Sequence, residues 1–143
     1  MLMTTPMWML LGFAAWTVLL LMATVGTYRW IEIFRGRRRI GAFRSDQVEG
    51  DDWYRRSVRA HANCIENLPV FGAVVSALYA SGASGPAVDR LSMAVLAARV
   101  VQSTVHVVHV QTDAFVSVRF FFFCVQLVAL LALIGLIVVH VTH

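Results

Sequence analysis

Three stretches of this chain run for the width of a bilayer without a formal charge: Met7 to Tyr28 and Asn67 to Val88, 22 residues each, and Phe120 to Val139, 20 residues. Wound as α-helices at 1.5 Å per residue, each covers the roughly 30 Å of hydrocarbon in a membrane. In water the same stretches would need a core larger than 143 residues, 59% of them hydrophobic, can build around them. In lipid every backbone N–H and C=O must be paired within the segment, so the runs can only be helices.

A fourth span follows from what the first three leave over. Leu91 to Thr112 is mostly apolar, though broken by Arg99 and carrying Gln102, His106 and His109. Three spans would leave this stretch unplaced, whereas an arginine at mid-bilayer costs roughly 2.5–3.5 kcal/mol on insertion scales, tolerable where it faces protein or water. The expectation is an all-α integral membrane protein: a four-transmembrane-helix bundle in a single domain over residues 1–143, with helices near 6–34, 54–81, 87–111 and 114–141.

Charge gives the expected topology. All twelve basic residues are arginines, set against eight acids for a net charge of +4, and nine of them fall between Arg29 and Arg59, around the first loop. The positive-inside rule puts that loop on the cytoplasmic side and both termini on the opposite one. The basic balance is therefore read as topology and contact with anionic lipid, above all at Arg35 to Arg39, and not as nucleic-acid binding. The first apolar run lacks a basic leader and exceeds a signal-peptide core, so it is read as a retained helix.

Local signals fill in the rest. Pro6 suits a first helical turn, and Tyr28-Arg29-Trp30 is an interfacial mixture. Gly36, Gly41 and Gly50 break a loop that turns from basic to acidic at Asp46, Glu49, Asp51 and Asp52. Pro69 is expected to kink the second span, and Ser81 to Pro86 to turn tightly. Cys64 and Cys124 sit in spans, imply no disulfide framework, and are expected to be buried packing residues.

The chemistry-bearing residues lie on helical faces. Arg59, Asn63 and Glu66 stand at i, i+4 and i+7, a fork donor, an amide and a carboxylate on one side of the second span. Arg99, Gln102, His106 and Asp113 form a stripe on the third, and Arg119 with Gln126 a face on the fourth. Lipid-facing helices do not carry such stripes. Taken together they suit a small anionic ligand held by arginine forks; taken singly, each arginine is better explained as a structural ion pair. A metal at His106-x-x-His109 with Asp113 is the weaker alternative, because no further ligand completes the set.

From Arg56 the chain reads RSVRAHANCIENLPVF, which resembles the second-helix signature of the MAPEG family, the membrane-associated proteins of eicosanoid and glutathione metabolism. The segment LAARVVQSTVHVVHV is similar to the family's third-helix element, and Arg119 falls where a fourth-helix arginine is expected. The resemblance implies a homotrimer with glutathione as co-substrate, held between subunits near the cytoplasmic face. It implies a glutathione-dependent transferase or peroxidase acting on lipophilic electrophiles or hydroperoxides that enter from the membrane.

Carried over residue by residue, Arg59, Asn63 and Glu66 would bind glutathione, with Arg37 as a further carboxylate contact and Arg99, Gln102 and His106 as the third-helix contribution. Arg119 would be the catalytic group that stabilises the thiolate. Ala62, Gln102 and His106 stand where the eicosanoid enzymes often carry Arg, His and Tyr, which argues against an eicosanoid-type isomerase. The competing expectation is a non-catalytic member of the same fold that binds lipid or scaffolds a partner.

Overall fold

A computed structural model describes residues 3–44, 48–110 and 112–143. Asp46 of the acidic stretch and Gln111, the expected end of the third span, lie outside the described residues. The first span is built from α1 (Thr5–Leu20), a π-helical segment (Leu21–Gly26) and α2 (Thr27–Phe34), which follow one another without a break. After a 3₁₀ turn at Ile40–Ala42 come α3 (Asp52–Ser81), α4 (Pro86–Val108) and α5 (Asp113–Thr142). Thr5–Phe34, α3, α4 and α5 make four helices long and apolar enough to cross a membrane.

The helix ends follow from local chemistry. Pro6 occupies the first turn of α1 and Pro86 that of α4, where a missing N–H costs nothing. α3 ends on Gly82 at φ 73°, a left-handed cap that a side chain would strain, and Ser84, Gly85 and Pro86 complete a short link to α4. α3 continues as helix through Pro69, whose ring removes one backbone donor from the ladder.

The core is one apolar cluster drawn from all four spans. Phe13, Cys64, Phe71, Val95 and Leu133 are fully buried in it, and the Phe13 and Phe71 rings meet at 6.0 Å, tilted 44°. α4 lies against α5 along much of its length, and α1 packs on both α3 and α4. Outside this core the surface is oil: Trp8, Leu19, Met22, Phe120, Phe121 and Leu131 are all exposed. A protein in water would not present such a belt, and one whose solvent is lipid must. The chain is an all-α, four-helix, multi-pass membrane protein.

Two local expectations change. α4 stops at Val108, and His109 is extended at φ −100°, ψ 140°, with its ring stacked on Phe115 of α5 at 4.0 Å. That contact draws the chain out of the helix and into the turn to α5. Cys64 is buried as expected, but Cys124 is only half-buried, because it lines an apolar groove between α4 and α5 with Leu91 and Phe121.

Candidate functional site

Near the end of the bundle where α3 begins and α4 ends, a cavity of about 250 Å³ is lined by Asp52, Arg55, Arg56, Arg59, His106 and Val110. The helical repeat of α3 places Arg56 and Arg59, three apart, on neighbouring positions above it. Its one lining carboxylate, Asp52, is turned to Arg55 at 3.2 Å. His106, buried on α4, lies within electrostatic range of Arg56, Arg59 and Arg119, and Arg119 is in range of Arg59. Three guanidinium groups from two helices thus act on one imidazole.

Like charges gathered at the edge of a low-dielectric bundle repel, and an anion between them relieves that repulsion. The Nε atoms of Arg56 and Arg119 are buried without a hydrogen-bond partner among the described residues. Gln102 donates from Nε2 to the Arg119 carbonyl at 3.2 Å, which ties α4 to α5 beside the cluster, while its own Oε1 is left buried and unpartnered. Buried donors in this state are the groups that a ligand with several acceptor oxygens satisfies.

The sequence-predicted residues divide into three groups. Arg59, His106 and Arg119 come together, with Gln102 adjoining. Asn63 and Glu66 continue the Arg59 side further along α3; Glu66 is exposed there, Asn63 half-buried, and the Asn63 carbonyl accepts from Asn67 Nδ2 at 2.8 Å. Arg37 stays apart, paired with Glu32 at 3.4 Å near the end of the first span.

Arg99 takes a different place. It is buried at 1% exposure, and its Nη2 donates to Gln126 Oε1 at 2.6 Å, with Phe13 lying 5.8 Å under the guanidinium. Ser103 Oγ, which accepts from Trp16 Nε1 at 2.8 Å, in turn donates to the Arg99 carbonyl at 2.8 Å. This polar knot joins the first span to α4 and α5 at the bundle centre. It accounts for how α4 carries an arginine through the membrane: the charge faces protein, an amide accepts its hydrogen bond, and the Glu66 carboxylate lies within electrostatic range.

Arg56 was not among the residues singled out from the sequence. The available signal was its i−3 spacing from Arg59, masked by the run of polar residues that opens α3. The metal alternative loses its geometry, since His106 is buried and His109 is exposed beyond the helix end. Among the described residues no group of three His, Cys, Asp or Glu side chains could hold a metal ion.

No curated protein and no solved structure matches the chain. Comparison with protein families matches residues 13–139 to the MAPEG family, a stretch that takes in part or all of each of the four spans and the whole arginine cluster. A four-helix membrane bundle with this match across nearly its full length belongs to the MAPEG family.

Proposed function

We propose that this protein is a glutathione-dependent membrane transferase or peroxidase that acts on lipophilic electrophiles or hydroperoxides. The observation that carries the proposal is a cavity lined by Arg56, Arg59 and His106, whose one carboxylate among the described residues is already paired, with Arg119 within electrostatic range of the same imidazole. Glutathione offers two carboxylates and a thiol. Arginine forks bind the carboxylates, and a guanidinium beside the sulfur favours the thiolate over a thiol whose ordinary pKa is about 8.5.

Arg59 and Arg56 hold the tripeptide in this reading, and Arg119 stabilises the thiolate. His106 and Gln102 orient the ligand by hydrogen bonds. In conjugation the thiolate forms a C–S bond to an electrophilic carbon, and the leaving group departs with the electron pair. An aryl halide such as chlorodinitrobenzene loses chloride in this way.

Self-association belongs to the same proposal. Glu66 is exposed on a span, and a carboxylate facing hydrocarbon is costly. A homotrimer in which a neighbouring copy covers the Arg59, Asn63 and Glu66 side of α3 removes that cost and closes the open cavity. With the arginine-rich first loop facing the cytoplasm, the site lies at the cytoplasmic face and both termini on the other side.

The test is turnover of chlorodinitrobenzene and of a lipid hydroperoxide by the purified protein with glutathione, with Arg119→Ala in parallel. Glutathione-dependent turnover that falls by about tenfold or more in the variant, with its oligomeric state kept, supports the assignment. Absence of turnover with both substrates refutes the activity and favours a non-catalytic member of the fold.

A further inference from the structure

Arg29 stands outside the arginine cluster and is held in a built position. Its Nε donates to Tyr54 Oη at 2.9 Å, and its guanidinium lies 5.4 Å from the Phe43 ring and 6.0 Å from that of Tyr54. Tyr54 is itself fixed: it is buried at 2% exposure and stacks on Tyr28 at 4.3 Å. No carboxylate among the described residues pairs with Arg29, and its two terminal NH₂ groups have no partner there.

The guanidinium opens on a cavity of about 290 Å³ lined by Gly26, Arg29, Trp30, Ile33, Ile40 and Phe43. Four of these six are large and apolar. Trp30 is 59% exposed and Ile40 75%, and Phe34, stacked on Trp30 at 5.5 Å, is 81% exposed. They lie around the end of the first membrane span, the depth at which headgroups give way to acyl chains. Six arginines stand against a single glutamate between residues 29 and 44, and that glutamate, Glu32, is engaged by Arg37.

We infer that this cavity is a binding site for one anionic phospholipid, with its phosphate on the Arg29 guanidinium and its acyl chains along Trp30, Ile33 and Phe34. Charge complementarity selects the headgroup, because a fork donor without a carboxylate among the described residues, in a strongly basic segment at the interface, binds phosphate oxygens in pairs. The apolar wall selects a lipid over a soluble phosphate, which would leave Trp30 and Ile40 uncovered. The site is independent of the glutathione proposal, since its cavity shares no lining residue with the one lined by Arg56, Arg59 and His106.

The experiment is native mass spectrometry of the detergent-purified protein titrated with phosphatidylglycerol and, separately, phosphatidylcholine of the same chains. Arg29→Gln, Tyr54→Phe and Arg39→Gln are measured alongside. The expected result is one retained phosphatidylglycerol per chain at about five- to tenfold higher affinity than phosphatidylcholine, the contribution of one interfacial arginine. Arg29→Gln removes that preference; Tyr54→Phe, which keeps the charge and frees its orientation, reduces it; Arg39→Gln, outside the cavity, keeps most of it. Circular dichroism checks that each variant is folded. Equal retention of the two lipids, a preference that survives Arg29→Gln, displacement by millimolar inorganic phosphate, or a cavity closed by a second copy so that no lipid binds would each overturn the inference.

Discussion

Gln126→Leu isolates the polar knot that lets α4 cross the membrane with an arginine in it. Leucine nearly matches glutamine in volume, so the substitution opens no cavity and removes one acceptor. Both partners are buried at 1% exposure and the bond is 2.6 Å long, a charge-assisted contact that in a soluble protein is worth roughly 1.5–3 kcal/mol. Two effects lower that figure. Interhelical hydrogen bonds in membranes average only about 0.6 kcal/mol, because a chain unfolded in lipid finds other partners. Gln126 Nε2 is also buried without a partner among the described residues, and its removal is favourable. The net expectation is a loss of about 1–2 kcal/mol, or roughly 5- to 30-fold in the unfolding equilibrium. Sodium dodecyl sulfate titration in mixed micelles, followed by circular dichroism, reads it directly. The double variant Arg99→Met with Gln126→Leu should recover most of the loss, since no buried charge then lacks its acceptor. A single variant within about 0.3 kcal/mol of wild type, or a double variant worse than the sum of its parts, would refute the account.

Gly50→Ala should cost about 1–3 kcal/mol, because φ is 151° there and the added Cβ would stand 2.8 Å from the Tyr54 ring; near-ultraviolet circular dichroism should report the disturbed Tyr28–Tyr54 stack. Arg56→Gln should weaken glutathione binding by about three- to tenfold with helicity unchanged, as one of three convergent cations is lost, and calorimetry measures it. Ser103→Ala leaves the Trp16 indole N–H without its acceptor and should cost about 0.5–1.5 kcal/mol, read by the same detergent titration.

The spans were legible because lipid admits no backbone solution but the helix, so an uncharged run of 20 residues or more leaves little choice. The α4 span needed one further step, that Arg99 must face protein, and the structure buries it on Phe13 and Gln126. What could not be read was the identity of that partner. A helical wheel places a residue relative to its own axis, and the choice among neighbours is made by rotation and height within the bundle. Gln126 shares the α4-facing side of α5 with Arg119, but the wheel could not say that its partner there is Arg99 while Arg119 meets Gln102. For the same reason the sequence does not mark Arg56, which joins the cluster, while Arg37, grouped with Arg59 by the resemblance, pairs with Glu32 beside its own helix. The end of α4 escaped notice because the Phe115 ring that stacks on His109 lies in the next element.

Whether the cluster around His106 binds glutathione is read by calorimetry of the solubilised protein, wild type against Arg59→Ala. Arg59 lines the cavity and is exposed on α3, so its truncation leaves the core untouched. The wild type should bind saturably and the variant should lose about tenfold or more, the value of a charge-assisted fork contact. No binding to the wild type at millimolar glutathione, or equal affinity in both proteins, would contradict it.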